Sequence, residues 1–338
     1  MSYQHRTSVF VSGASGYIAQ HIIKQLIEKG YNVVGSVISE AKGQALTRLI
    51  GPLHFTFEVV PDITAKAAFA EALQKHQEVR YFIHTATPYQ FNPDGGNNEE
   101  MLQKAVDATH NTLQSIQYHG TQVRKVVVTS SIVAVAGFGS LFDPNKTYTE
   151  NDWNPITWEE SLDPGKIYYG SKKFAELAAW NYKKENYTFY KLTVINPVYV
   201  FGPQAYEFTD TANMATTAEK INSIANLSKD DPIPELWGDY VDVRDVAKAH
   251  VLALENDETS NKRLLLVAGG FSSDKIAHII NEKFPNCKVP DGDLKRDEEN
   301  MKRIHKIDDS STKTVLGIDY IPLEQSITDS VKQIYAGI

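Results

Sequence analysis

The chain has 338 residues, 42% of them hydrophobic and 22% charged, which excludes a disordered polypeptide and leaves room for about two domains. Its 34 basic and 42 acidic residues give a net charge of −8, and without a basic block this excludes a protein that grips a nucleic-acid backbone. A single cysteine, Cys287, excludes an internal disulfide framework and any cysteine-based zinc site, and it fits a reducing compartment.

The polar stretch Met1 to Arg6 leads directly into the apolar run Val9–Val11, so no secretory leader is expected. The longest uncharged stretch, Val126–Phe142, is broken by Thr129, Ser130, Ser131, Gly137 and Gly139 and reads as strand plus loop rather than a membrane span. The expected setting is therefore the cytoplasm, away from membranes.

Strand-like and helix-like segments alternate through the first half. Val9–Ser12 is an apolar run, followed by Gly13 to Gly16 and a helical pattern at Ile18, Ile22, Ile23, Leu26 and Ile27 that Gly30 closes. Asn32–Ser36 reads as the second strand, Ala41–Leu49 as a helix and His54–Val60 as the third strand. Lys66–Gln74 is helical, Tyr81–His84 a strand, Glu99–Tyr118 a long helix and Lys125–Ser130 a valine-rich strand. Continuous apolar strands separated by helices predict an α/β fold with a doubly wound parallel sheet covered on both faces.

Beyond Ser131 the pattern loosens. Gly137–Lys166, with Pro144, Pro155 and Pro164, reads as a long irregular connection of the kind that usually serves function. Tyr168–Glu185 is helical, Leu192–Ile195 a strand, Tyr206–Leu227 a polar helix and Leu264–Val267 another strand. Asp242 is placed to cap a helix running to Leu254, with Asp245 three positions on. Ser273–Phe284 and Thr312–Ile334 carry more helical pattern. With no clear linker, a smaller α/β unit is expected to be interleaved with the first. Residues 1–197 and 239–262 would form the dinucleotide-binding part, and 198–238 and 263–338 the substrate part.

The turn Gly13-Ala14-Ser15-Gly16-Tyr17-Ile18-Ala19 joins the first strand to the first helix. Small residues there let the backbone approach a pyrophosphate seated on the helix N-terminus. The second strand ends at Gly35-Ser36-Val37-Ile38 with no acid to grip a ribose 2′-hydroxyl, while Lys42 lies just downstream to meet a 2′-phosphate. Asp62, followed by Ile63, either accepts from an adenine amino group or caps the next helix.

Tyr168-Tyr169-Gly170-Ser171-Lys172-Lys173 opens a helix, and residues four apart share a face. A lysine ammonium beside a phenol favours the phenolate and yields a general acid usable near neutral pH. Spacing permits Tyr168 with Lys172 or Tyr169 with Lys173. Thr129-Ser130-Ser131 closes the fifth strand at the sheet edge where such folds bind ligands, and a serine there can donate to a carbonyl oxygen.

Glycine turn, strand-end serines and Tyr-x-x-x-Lys together resemble the extended short-chain dehydrogenase/reductases. His84-Thr85-Ala86-Thr87-Pro88, Ser171-Lys172-Lys173-Phe174-Ala175-Glu176, Asn196-Pro197-Val198-Tyr199-Val200-Phe201-Gly202-Pro203 and Asp242-Val243-Arg244-Asp245 narrow the likeness. They resemble the dihydroflavonol-reductase-like branch, and within it the yeast NADPH-dependent methylglyoxal and ketone reductases. The likeness implies Ser131, Tyr168 and Lys172 as catalytic residues. It implies cofactor contacts at Gly13, Ser15, Gly16, Tyr17, Ile18, Asp62, Ile63, Thr85, Ala86 and Thr87, with Pro197, Val198 and Val200 against the nicotinamide. The family's arginine for the 2′-phosphate is replaced by Ile38, which leaves Ser36 and Lys42 for that role.

The expected activity is NADP(H)-dependent reduction of a small uncharged carbonyl compound, with no metal and, as macromolecular partner, at most a second copy of the chain. Ile132, Phe91, Tyr199 and the Gly137–Lys166 connection would wall the pocket. A rival on the same fold is a nucleotide-sugar epimerase or dehydratase. It needs basic groups for a diphosphate, and Tyr206–Gly238 offers only Lys220 and Lys229. A silent cofactor-binding sensor is a second rival, against which the intact serine, tyrosine and lysine set argues.

Overall fold

A computed structural model describes residues 6–88, 97–137, 139, 143–206 and 216–336. The first half runs β1 (Ser8–Ser12), α1 (Tyr17–Glu28), β2 (Asn32–Val37), α2 (Glu40–Ile50), β3 (Phe55–Val59), α3 (Ala70–Lys75), β4 (Val79–His84), α4 (Asn98–His119) and β5 (Lys125–Thr129). It continues with β6 (Thr147–Tyr148), α5 (Ile167–Glu185), β7 (Lys191–Pro197), β8 (Tyr199–Phe201), α6 (Thr216–Ala225), β9 (Trp237–Asp242) and α7 (Val243–Glu255). The last elements are β10 (Arg263–Leu266), β11 (Gly269–Ser272), α8 (Ser273–Lys283), α9 (Leu294–Met301), β12 (Lys306–Ile307), α10 (Ser310–Leu316) and α11 (Leu323–Ala336).

The large sheet has the order β10-β7-β5-β4-β1-β2-β3, and every neighbouring pair is parallel. All of β1 is buried. Val9 and Val11 enter one apolar cluster with Ile22, Leu26 and Val246, while Phe10 enters another with Leu73, Phe82 and Leu113. Alternate residues of one strand thus feed cores on opposite faces, which is why these strands read as unbroken apolar runs. The doubly wound α/β expectation holds. Strand order reverses between β1 and β4, so the crevice at their carboxyl ends is the place for a ligand.

A smaller sheet has the order β11-β9-β8, with β8 and β9 parallel and β11 antiparallel. Phe201, Tyr240 and Phe271 pack there with Ile276, Ile280 and Val331. Two stretches sit across the expected boundaries. Residues 239–242 belong to β9 of the small sheet, because β9 runs without a break into α7. Arg263–Leu266 pairs with Val194–Pro197 and forms the edge of the large sheet.

Local differences have local causes. The expected helix Lys66–Gln74 shrinks to α3. Before it, Asp62 Oδ1 accepts from the backbone N–H (2.8 Å) and hydroxyl (2.7 Å) of Thr64, and Ala67 adopts φ 56°. The helical pattern Thr312–Ile334 divides into α10 and α11 at Gly317, a left-handed cap. Asp242 caps α7 by accepting from Arg244 N–H (2.8 Å), whereas Asp245 accepts from Ile321 N–H (2.7 Å). Of the expected helix Tyr206–Leu227, residues 207–215 lie outside the described residues, and α6 covers Thr216–Ala225. Among the described residues no helix is long and apolar enough to cross a membrane.

Candidate active site

The glycine turn is built by close approach. Gly13 has φ +67°, and a β-carbon there would lie 3.0 Å from Ala86 Cα, so the turn after β1 presses on the segment after β4 and admits no side chain. Gly16 N–H donates to Gly13 O (2.8 Å), and Ala14 N–H donates to Ser36 O (2.9 Å). No side chain caps the N-terminus of α1 and no acid sits in its first turn. Its leading N–H groups and positive dipole end therefore suit an anion. One face of α1 also staples the chain that follows β8. Tyr17 Oη donates to Gly202 O (2.6 Å), His21 Nε2 to Pro203 O (2.9 Å) and Lys24 Nζ to Ala205 O (3.2 Å). Burial lowers the His21 pKa to about 4, so the ring is neutral near pH 7.

Ser36 is buried, and its Oγ accepts from Gly13 N–H (3.1 Å). It holds the turn while also lining the cavity. Ile38 stands exposed on the rim. Lys42 lies in the first turn of α2 and is not among the residues lining the cavity. Asp62 and Ile63 form part of the wall, and the Thr64 hydroxyl and N–H hold the Asp62 carboxyl below its usual range. At the end of β4, Ser12 Oγ accepts from Thr85 N–H (3.1 Å) and Ala86 N–H (3.2 Å). It lies 2.9 Å from His84 Nδ1. Burial drives the His84 pKa down to about 3, so the ring is neutral, and since two N–H groups already donate to Ser12 Oγ, the serine hydroxyl donates to His84 Nδ1.

The adjacent serines part company at the end of β5. Ser131 lines the cavity, and its Oγ accepts a long bond from Val133 N–H (3.4 Å). Ser130 Oγ turns inward and donates to Glu176 Oε2 (2.6 Å). Glu176 is fully buried and also receives Asn196 Nδ2 (2.7 Å), Arg263 Nε (2.6 Å) and Trp180 Nε1 (3.3 Å). Asn196 Nδ2 reaches Ser131 O as well (3.0 Å), so one buried network fixes the backbone that presents Ser131.

The two lysines of α5 also separate. Lys172 lines the cavity and donates to Thr87 Oγ1 (3.2 Å), while Lys173 is turned to Ile156 O (2.5 Å). Burial lowers the Lys172 ammonium to about 8, and the charge of Glu176 opposes the fall. Tyr168 and Tyr169 both line the cavity, and burial pushes the Tyr169 phenol up to about 12. The first turn of α5 is seated tightly: a β-carbon on Gly170 would stand 2.2 Å from Ser161 Oγ.

One cavity of about 1430 Å³ runs along all these groups. That is more than one small ligand needs and suits a dinucleotide with a substrate beside it. It brings together Gly13, Ser15, Gly16, Tyr17, Ile18, Ser36, Asp62, Ile63, Thr85, Ala86, Thr87, Ser131, Tyr168, Lys172 and Val198. Lys42, Pro197 and Val200 do not line it; Val200 sits in an apolar cluster instead. Ile132 and Tyr199 form walls as expected, whereas Phe91 falls outside the described residues. Lys104, Gln204, Lys220, Asp239 and His305 also line it. They were not foreseen as site residues, since they come from separate segments and share no spacing.

Switch-point crevice, glycine turn and strand-end serine define a dinucleotide-cofactor α/β protein. Residues 9–268 match the NAD dependent epimerase/dehydratase family, and the chain belongs to it. The chain is 47% identical to a putative NADPH-dependent methylglyoxal reductase of Candida albicans, over 97% of this chain and 98% of that protein. It is 41% identical to the NADPH-dependent methylglyoxal reductase of Saccharomyces cerevisiae, over 97% and 98% of the two chains. The crystal structure of Gre2 from Candida albicans in complex with NADPH is similar with a TM-score of 0.94, at 43% identity, covering 98% of this chain and 99% of that one. The resemblance read from the motifs is borne out.

Proposed function

We propose that the protein is an NADPH-dependent carbonyl reductase that converts a small, uncharged ketone or aldehyde to an alcohol. One observation carries the reading: a single cavity joins the glycine turn and uncapped end of α1 to Ser131, Tyr168 and Lys172. Similarity over nearly the whole chain to proteins named as NADPH-dependent reductases supports both cofactor and reaction.

The groove fits a dinucleotide on its own evidence, since the N-terminus of α1, with no side-chain cap and no acid in its first turn, opens onto the cavity at Gly13, Ser15, Gly16 and Tyr17. Gly13 to Ile18 would hold the pyrophosphate, Ser36 and Ile38 would face the 2′-phosphate end, Asp62 and Ile63 the adenine, and Thr85 to Thr87 the ribose beyond. Val198 would lie against the nicotinamide. When bound, the reduced nicotinamide supplies a hydride. Ser131 Oγ donates a hydrogen bond to the substrate carbonyl oxygen and stabilises the charge that develops there. Tyr168 gives that oxygen its proton. Lys172, cationic beside it, makes the phenol a stronger acid and would hold the nicotinamide ribose.

A nucleotide-sugar substrate is disfavoured, because Lys229 pairs with Asp291 (2.9 Å) and leaves Lys220 as the basic residue of 206–238 that lines the cavity. The reading extends to an interleaved second unit built on the small sheet, to a cytoplasmic setting, supported by the lone cysteine, and to a homodimer. The test of function is direct. Purified protein, NADPH and a panel of small ketones and aldehydes should show loss of reduced-nicotinamide absorbance. No oxidation with any carbonyl compound, together with interconversion of a nucleotide sugar, would replace this reading with the rival.

A further inference from the structure

We propose that Glu176 is a positioning residue for the reaction: its buried carboxylate, one helical turn from Lys172, holds the proton on that lysine and so keeps the neighbouring tyrosine a usable acid. The inference rests on the reductase reading and deepens it.

The helix places the charge. Lys172 and Glu176 stand four residues apart on α5 and share a face, with about 5–6 Å between their β-carbons. Lys172 lines the cavity, whereas the Glu176 side chain is fully buried behind it. The two carboxylate oxygens have different company. Oε1 receives Arg263 Nε (2.6 Å) and Trp180 Nε1 (3.3 Å). Oε2 receives Ser130 Oγ (2.6 Å) and Asn196 Nδ2 (2.7 Å). Four donors, one of them a cation, keep the group ionised. A buried ion pair holds a fold together little better than an apolar pair of the same volume, so packing alone gives no reason for a charge here. Lys172 does.

Among the described residues, no other carboxylate acts on Lys172. Thr87 Oγ1, which accepts from it (3.2 Å), is neutral. His84 at the end of β4 feels the ammonium, but burial keeps that ring uncharged. From α4, Glu100 and Lys104 line the cavity and pair with one another (2.7 Å), while His110 packs on Tyr182. Glu160, from the segment before α5, acts on Lys173 instead. Asp62 and Asp239 line the cavity without acting on Lys172. His250 of α7, at 2.7 Å from Thr129 Oγ1, is neutral through burial. Burial brings the Lys172 ammonium down to about 8, and Glu176 is the charge that resists the fall. Without it the lysine loses its proton nearer neutrality and no longer strengthens the acidity of Tyr168.

The experiment reads kcat against pH from about 6 to about 10, with saturating NADPH and a small ketone that the wild type reduces. Opposite charges about 6 Å apart, at an effective dielectric constant of about 20, shift a pKa by about two pH units. Glu176→Gln should therefore move the alkaline fall of kcat down by about one to two pH units, with turnover recovering toward about pH 6. Glu176→Asp, which keeps the charge, should leave the fall within about half a pH unit of its wild-type place, even where its shorter side chain lowers the plateau. A merely structural glutamate would lower the plateau of Glu176→Gln and leave the fall where it was. That result overturns the proposal, as do equal shifts in Glu176→Asp and Glu176→Gln, or a wild type whose kcat does not fall by about pH 10. Circular dichroism reports folding. Should Glu176→Gln not fold, Arg263→Met combined with Glu176→Gln, which leaves neither buried charge, takes its place with the same two outcomes. A wild type that oxidises NADPH with no carbonyl compound overturns the reductase reading instead.

Discussion

Replacing Arg263 by methionine removes the cation from a carboxylate that water cannot reach. The Arg263 and Glu176 side chains are 8% and 0% exposed, with Nε and Oε1 2.6 Å apart. Ser130, Asn196 and Trp180 still donate to Glu176 in the variant, but none of them carries charge. Breaking a buried pair from one side costs about 3–5 kcal/mol. The guanidinium also lies 3.9 Å from the Trp153 ring centroid and donates to the carbonyls of Glu150 and Asp152, and losing the ring contact adds up to about 2 kcal/mol. The total is a large part of the roughly 5–15 kcal/mol that holds a protein folded. Urea unfolding followed by tryptophan fluorescence reads it. Arg263→Met combined with Glu176→Gln should cost less than Arg263→Met alone, because the double variant leaves no buried charge without a counterion. A deficit below about 1 kcal/mol, or no recovery in the double variant, would refute the reasoning.

Tyr168→Phe should remove nearly all ketone reduction while NADPH still binds, whereas Tyr169→Phe should change little; the reverse result in NADPH-oxidation assays would show the register to be wrong. Ser131→Ala should lower turnover by about 10²–10³-fold, the loss of one oxyanion donor, while Ser130→Ala should act chiefly on stability, because its hydroxyl serves Glu176; equal turnover losses would defeat this division. Steady-state kinetics with both cofactors should favour NADPH in the wild type. Ile38→Arg should tighten NADPH by about 1.5–3 kcal/mol, and Lys42→Ala should change selectivity little, since Lys42 lies off the cavity wall; higher efficiency with NADH in the wild type contradicts the cofactor assignment. Ketone reduction should fall as pH rises through about 8, where the buried Lys172 loses its proton; a flat profile from about pH 7 to about pH 9.5 would sever that link.

The parts of the site that sequence revealed are those set by neighbours in the chain. A glycine turn must follow a strand and open a helix, and Tyr168 and Lys172 share a helical face whatever surrounds them. The serines shared one strand end, yet nothing in Thr129-Ser130-Ser131 distinguishes the hydroxyl that faces the cavity from the one that faces Glu176. Lys42 has the charge for a 2′-phosphate but, in the first turn of α2, does not line the cavity, while Ser36, which does, accepts from Gly13 N–H. Asp239 and His305 are 66 positions apart and meet only through tertiary packing. The strands of the small sheet escaped notice because Gly238, Gly269 and Gly270 erase the alternation that marks a half-buried strand.

The order of synthesis gives the edge strand β10 a particular importance. Six strands of the large sheet leave the ribosome before residue 263, in an order that leaves β7 as an open edge. That edge offers unpaired backbone groups to any passing strand. β10 covers it, and the first residue of β10 is Arg263, the counterion of Glu176. Pairing β7 and neutralising the carboxylate behind Ser131 and Lys172 are therefore one event. A chain stopped short of residue 263 carries the whole proposed catalytic set but leaves β7 unpaired on that side and Glu176 without its arginine, so the nascent protein completes its sheet and its rigid site at the same moment.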